Sequence, residues 1–297
     1  MSITTGPGLK IAYEVVGERS DPALVLIAGL GRQLVDFPPA FRKLLATAGH
    51  CVVVFDNRDV GLSGHLEGKV DLGRVRRLAA AGLPVDVPYR LRDMAEDVIR
   101  LLDHLGVPGA HVVGVSMGGE IAQTLAIGHP ERVLTLTSIM STTGAPSVGG
   151  MDDIGRKALF RPPPPDREGA IAAHLEARRL LATPGAFDEE AERARVTEEY
   201  ERAFDPAGAG RQLAAIWAGP DKTEALGGLT MPVLVIHGTE DHLVHVSGGR
   251  ATADAIEGSR LLEIEGMGHD LPPRHWPRIV EAIVAHTSRP QARPLHD

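Results

Sequence analysis

The stretch from Ala110 to Ala126 constrains this chain more than any other. An apolar run, Ala110 to Val115, ends at Ser116, which is framed by Gly114 and Gly118. A helical pattern begins at once, from Glu120 through Ile121, Ala122 and Leu125. A strand must therefore turn sharply into a helix, with one hydroxyl at the apex. The two glycines leave no side chain where strand and helix nearly touch. Ser116 is forced into a cramped backbone conformation that pushes its oxygen out of the turn. Gly-x-Ser-x-Gly in this setting is a nucleophile elbow. The competing reading is a glycine-rich turn whose serine only caps the helix. The strand before and the helix after favour the elbow.

Around this stretch, strands and helices alternate. Leu9–Val16 reads as a strand of an opening hairpin. Leu24–Ile27 and Cys51–Phe55 are continuous apolar runs, as expected of strands covered on both faces. Pro38–Gly49 and Leu91–Leu105 carry helical stripes, each ended by a glycine. Val133–Met140 is a further strand, and residues 65–89 resist assignment. This order predicts an α/β protein with a mostly parallel sheet and helices on both faces. Reactive groups in such sheets gather at the carboxyl ends of the strands, where Gly29, Asp56 and Ser116 fall.

Composition changes at Ser141. Residues 141–150 are small and glycine-rich, and Pro162 to Pro165 interrupt any regular element. Three helical patterns follow without a strand between them: Glu168–Leu181, Glu189–Phe204 and Ala209–Trp217. We read residues 141–228 as a helical cap inserted into a core made of 1–140 and 229–297. The alternation resumes with a strand over Val233–His237, a weak helix over Val246–Ile256, a strand over Leu261–Ile264 and a helix over Pro273–His286. Residues 288–297 read as a loose tail.

The formal net charge of −8 argues against nucleic acid or an anionic membrane as partner, because both need a positive face. With the single cysteine, Cys51, no intrachain disulfide can form. Met1–Lys10 lacks the apolar block of a secretory leader, and no run approaches the ~18 apolar residues of a membrane span. A cytoplasmic protein acting on a small molecule is the expectation; monomer and homodimer stay open. No cofactor is expected. Gly29-Leu30-Gly31 lacks the spacing and lysine of a phosphate loop, and His237, His242 and His245 lack a metal-ligand register. The isolated His65, His104, His111 and His129 are expected at the surface.

A serine hydroxyl needs a base to take its proton, usually a histidine oriented by a carboxylate. Two loops beyond late strands offer these partners. Asp241, in Gly238-Thr239-Glu240-Asp241-His242, is the expected acid. His269, in Gly266-Met267-Gly268-His269, is the expected base. Glu240 should point away from the direction of Asp241, and Asp270 is too near His269 in sequence to fold back onto the imidazole. The backbone N–H groups of Met117 and Leu30 are the expected oxyanion donors. Gly29, Leu30, Met117, Val244 and residues of the cap, with its aromatics Phe187, Phe204 and Trp217, are expected to wall the pocket.

These segments together resemble the α/β-hydrolase family over nearly the whole chain. The resemblance is carried by Ile27–Gly31, by Phe55-Asp56-Asn57-Arg58-Asp59-Val60-Gly61-Leu62-Ser63, by Gly114–Gly119, by Gly238–His242 and by Gly266–His269. The Asp-Asn-Arg-Asp loop and the Gly-Met-Gly-His-Asp-Leu-Pro ending are similar to bacterial carboxylesterases related to aclacinomycin methylesterase. The resemblance implies a serine carboxylic ester hydrolase with a helical cap. Lactonases, perhydrolases or haloperoxidases, carbon–carbon bond hydrolases and non-enzymatic ligand sensors share the same residues. Epoxide hydrolases and haloalkane dehalogenases are disfavoured, since those relatives carry aspartate where Ser116 stands. Many relatives have His-Gly where this chain has Ala28-Gly29; a backbone donor survives that change. Asp56 and Arg58 are read as bracing the site, because an arginine–carboxylate fork is a positioning device.

Overall fold

The computed structural model describes residues 1–5, 8–161, 164 and 166–288. Eight strands form one sheet: β1 (Ser2–Ile3), β2 (Ala12–Val16), β3 (Ala23–Ile27), β4 (Cys51–Phe55), β5 (Ala110–Val115), β6 (Val133–Ile139), β7 (Val233–Gly238) and β8 (Arg260–Ile264). Their spatial order is β1-β2-β4-β3-β5-β6-β7-β8. The β1–β2 and β2–β4 pairings at one edge are antiparallel, and every other pairing is parallel. The register sets Ile27 beside Gly114 and Val115 beside Ile139. The carboxyl ends of β3, β5 and β6 therefore finish level, and the loops after them meet.

Helices cover both faces. α1 (Pro39–Thr47), α2 (Leu72–Ala80), α3 (Leu91–Leu105) and α4 (Met117–Gly128) precede β6. α5 (Asp153–Leu159), α6 (Arg167–Leu181), α7 (Glu189–Arg202), α8 (Pro206–Trp217) and α9 (Thr223–Leu226) lie between β6 and β7 with no strand among them. α10 (Ser247–Ala255) and α11 (Trp276–Thr287) complete the chain. Successive side chains of a strand point to opposite faces, so each continuous apolar run feeds two cores. Val25, Ile27, Val53 and Val112 pack with Met94, Val98 and Ile121 of α3 and α4. Leu24, Leu26, Val52, Val54 and Val113 pack with Phe41, Ile279 and Ile283 of α1 and α11. Burying each such side chain contributes about 1.5–3 kcal/mol before entropy is counted. α3 ends where Gly106 turns left-handed at φ 69°. Among the described residues, no helix is long and apolar enough to cross a membrane.

Several expectations need correction. The first long strand starts at Ala12 rather than Leu9, and its hairpin partner is the two-residue β1. The unassigned region 65–89 contains α2, a polar helix whose buried residue is Val75. Among the described residues, the insertion holds five helices rather than three, because α5 and α9 are too short to show a stripe. The closing helix begins at Trp276, after a single tight turn over Pro273–His275. His111 is buried in β5, not at the surface: Thr135 Oγ1 lies 3.0 Å from Nδ1, and the ring packs edge-on against His50. Burial and the neighbouring His50 and His286 push its pKa down to about 4. The tail beyond Ser288, and Pro162, Pro163 and Pro165, lie outside the described residues.

The inserted helices are started by aspartates and docked by arginines. Asp152, Asp166, Asp188 and Asp205 each accept a backbone N–H at the start of α5, α6, α7 and α8. Arg178 of α6 reaches Asp36 at 2.7 Å, Arg202 of α7 reaches Asp56 at 2.7 Å, and Arg211 of α8 forks onto Asp59 at 2.8 and 2.9 Å. All three carboxylates lie beyond the carboxyl ends of β3 and β4, Asp36 in the single tight turn Leu34–Asp36 and Asp56 and Asp59 in a loop.

Candidate active site

Ser116 sits at the apex between β5 and α4 with φ 56° and ψ −121°, a left-handed conformation that disfavours any side chain. The two glycines explain how it is held there. A Cβ on Gly114 would lie 2.6 Å from Gly119 N, and closer still to Gly118 O. A Cβ on Gly118 would lie 2.7 Å from the carbonyl carbon of Ile27 and 2.8 Å from Ala28 O. α4, β5 and β3 thus touch backbone to backbone, which only glycine allows.

Asp241 and His269 arrive from the loops after β7 and β8. Gly238 makes that crossing possible, since a Cβ there would lie 2.6 Å from the Met267 carbonyl carbon. Asp241 Oδ1 accepts the N–H groups of Leu243 at 2.9 Å and Val244 at 2.8 Å. Its Oδ2 lies 2.7 Å from His269 Nδ1, and His269 Nε2 lies 3.0 Å from Ser116 Oγ. A carboxylate can only accept, so Nδ1 carries the proton and Nε2 accepts from the serine hydroxyl. The Asp241 side chain is fully buried and that of His269 is 9% exposed. Burial pushes the Asp241 carboxyl up, but the charge of His269 and hydrogen bonds from His237 and His269 hold it well below the usual carboxylate range.

The rival acids go elsewhere. Glu240 is exposed, and Asp270 Oδ1 accepts from the backbone N–H and the hydroxyl of Thr183. Gly29 lies against the serine: a Cβ there would meet Ser116 Cβ at 3.3 Å and Oγ at 3.8 Å. Leu30 follows it, and among the described residues its N–H has no protein acceptor. Met117 is the first residue of α4, where no intrahelical acceptor exists for its N–H. Gly31 N donates to Gln212 Oε1 at 2.8 Å, and Gln212 Nε2 donates to Arg58 O at 2.7 Å. A glutamine of α8 thus fixes both loops beside the serine.

Asp56 and Arg58 both brace these loops, with different partners. Asp56 Oδ1 accepts Leu34 N at 2.7 Å; its Oδ2 accepts Leu62 N at 2.9 Å and Arg202 at 2.7 Å. Arg58 forks onto Asp97 of α3 at 2.6 and 2.9 Å and stacks over Tyr89. Val244 serves the loop of Asp241 through its backbone N–H. Phe187 lies under the Arg179 guanidinium, and Trp217 packs with Phe160 and the apolar cluster around Val75 of α2. Phe204 packs against Tyr200 with ring centroids 4.6 Å apart, tilted by 30°. Among the described residues, no ring–ring or cation–π contact links these three aromatics to His269.

His237, His242 and His245 do not converge: they face Val244 O, Asp152 and Ser247. A different trio, Asp59, His65 and Asp205, brings ligand atoms within 4.8 Å of one another. Arg211 already forks onto Asp59, so that carboxylate's charge is matched. Sequence reasoning missed Gln212, Arg202 and Arg211, which lie 146–181 residues from their partners in the core. The acidic loop at 56–59 was the available signal, since buried carboxylates require cations.

Comparison with known proteins agrees with this arrangement of sheet and insertion. Residues 22–273 match the model of the alpha/beta hydrolase fold. The chain is 31% identical to rhodomycin D methylesterase DauP of Streptomyces sp. (strain C5), over 92% of this chain and 93% of that protein. It is 28% identical to 3-oxoadipate enol-lactonase 2 of Acinetobacter baylyi, over 94% and 95%. Among solved structures, the enol-lactonase from Burkholderia xenovorans LB400 superposes with a TM-score of 0.73 at 23% identity, covering 97% of this chain and all of that one. The chain belongs to the α/β-hydrolase family.

Proposed function

We propose that this protein hydrolyses small-molecule carboxylic esters through an acyl-enzyme on Ser116. The observation that carries the reading is the continuous link Asp241–His269–Ser116, at 2.7 and 3.0 Å. In this mechanism Ser116 Oγ attacks the ester carbonyl while His269 Nε2 takes its proton. Asp241 holds the imidazole in the required tautomer and stabilises the imidazolium that forms. The tetrahedral oxyanion is met by the N–H groups of Met117 and Leu30, one at the positive end of α4. His269 then returns its proton to the departing alcohol. Water, deprotonated by the same imidazole, attacks the acyl-enzyme and releases the acid. No metal or cofactor takes part.

Helices α5–α9 act in this reading as a cap, with core segments 1–140 and 229–297 beneath it. Leu30, Met117 and Val244 face the substrate from below. The methylesterase relatives favour a methyl or other small alkyl ester. A lactone is the second reading, favoured by the enol-lactonase relative, and it uses the same acylation with the alcohol still tethered. The test is hydrolysis of p-nitrophenyl esters from acetate to palmitate, with a methyl ester and a lactone, by wild type and Ser116→Ala. Ser116→Ala is expected to fold normally, lose labelling by a fluorophosphonate and keep at most about 0.1% of the turnover. Full activity in that variant rules out the mechanism. A wild-type chain that binds such ligands but never labels indicates a ligand sensor instead.

A further inference from the structure

The loop that carries His269 is held from two sides. Up to Met267 the core holds it: Met267 N donates to Ile264 O at 3.2 Å, and Met267 O accepts Glu240 N at 3.0 Å. Beyond that point the insertion takes over. His269 N donates to Leu181 O, the last carbonyl of α6, at 2.8 Å. Gly268 N donates to Thr183 Oγ1 at 2.9 Å, and Thr183 N donates to Asp270 Oδ1 at 3.0 Å. The Thr183 hydroxyl donates to the same carboxylate oxygen. Thr183 is 1% exposed, so no water replaces these partners. The two strips of chain are pressed together: a Cβ on Gly268 would lie 2.6 Å from Leu181 O and 2.8 Å from Ala182 C and Thr183 N.

We propose that Thr183 and Asp270 are positioning residues through which the inserted helices aim the His269 imidazole. The inference rests on the reading of His269 as the base. One hydroxyl completes the chain from Gly268 N–H through Thr183 Oγ to Asp270, locking the residues on both sides of the histidine to α6. The imidazole must satisfy Asp241 and Ser116 at once, and its ring follows its backbone. A shift of the insertion therefore moves the base. This also explains why Asp270, adjacent to the base, is a carboxylate that never touches the ring.

The test uses the full chain with p-nitrophenyl acetate, small enough to need little of the cap. Thr183→Val keeps the shape and removes the hydroxyl, leaving Gly268 N–H and one Asp270 bond unmet. We expect kcat to fall about 10- to 100-fold with KM within about twofold. Thr183→Ser, which keeps the hydroxyl, should restore kcat, whereas a merely structural loss would not separate kcat from KM. Asp270→Ala approaches the clamp from the other side and should give the same fall in kcat at unchanged KM, so it decides the matter if Thr183→Val does not fold. Wild-type kcat in Thr183→Val or Asp270→Ala, or a Thr183→Ser as slow as the valine variant, overturns the clamp. A wild type that neither labels with fluorophosphonate nor hydrolyses any ester overturns the functional reading, and the clamp with it.

Discussion

Two glycines on one helix make opposite predictions for the same substitution. Gly118 opens α4 against β3, whereas Gly128 closes it in open space, with nothing within 4 Å of an added Cβ. A methyl at Gly118 would meet the Ile27 carbonyl carbon at 2.7 Å, while carbon pairs rest at roughly 3.5–4.0 Å. Helix and strand must part by about 1 Å, because neither obstacle is a side chain that can rotate away. Overpacking of this kind costs about 1–3 kcal/mol, and a backbone obstacle argues for the upper end. The same displacement separates Ser116 from Gly29 and Leu30. A misplacement of about 1 Å at reacting groups can cost on the order of 100-fold in rate. Gly128→Ala lies in the last helical position and should stabilise by up to about 1 kcal/mol, with activity unchanged. Urea denaturation gives the stabilities, and turnover of p-nitrophenyl acetate gives the rates. If Gly118→Ala matches wild type in both, the elbow is not held by backbone contact and the account of Ser116 fails.

Three further outcomes follow from the geometry. Asp241→Asn should fold, since a carboxamide oxygen can still accept the Leu243 and Val244 N–H groups, yet turnover should fall about 10,000-fold because the amide favours the wrong imidazole tautomer; a tenfold loss would mean that another carboxylate orients His269. Arg202→Met removes one of three donors from the buried Asp56 and should cost about 2 kcal/mol, read as a shift in the urea midpoint, with little further loss when Asp56→Asn is added; full additivity would show that the pair is not coupled. His65 places Nδ1 2.9 Å from Asp205 and Nε2 3.0 Å from Gly61 O; burial lowers its pKa, but these two acceptors raise it further, so the folded value lies above 6.5. Its stabilising contribution is thus complete below about pH 6.5 and lost as pH rises through the folded value. His65→Ala should destabilise more at pH 6 than at pH 9, and equal effects at both would refute the pairing.

The sheet was legible because parallel strands are buried on both faces, so Leu24–Ile27 and Cys51–Phe55 stand out as unbroken apolar runs. That Ser116, Asp241 and His269 meet was legible because glycines mark the places where backbones must nearly touch. α2 was not, because its sequence Leu-Gly-Arg-Val-Arg-Arg-Leu-Ala-Ala buries only Val75 deeply and shows no apolar stripe. His111 misled because a histidine at the start of a strand reads as polar, whereas here it finds Thr135 on the neighbouring strand. The docking of the insertion was also hidden. Arg178, Arg202 and Arg211 pair with carboxylates 142–152 residues away, and nothing local distinguishes those partners from the chain's other acidic residues.

That docking has a practical consequence for redesign. An oily seam lets one layer slide over another and settle in several registers. Here three arginines on three successive helices each find a separate carboxylate, so the seam works like a keyed connector with one seating. The keys lie at Asp36, Asp56 and Asp59, and among the described residues none of the three is hydrogen-bonded to Ser116, His269 or Asp241. A designer can therefore graft a different set of helices between β6 and β7, to change which molecules enter, while preserving three arginine positions and the threonine that meets Asp270.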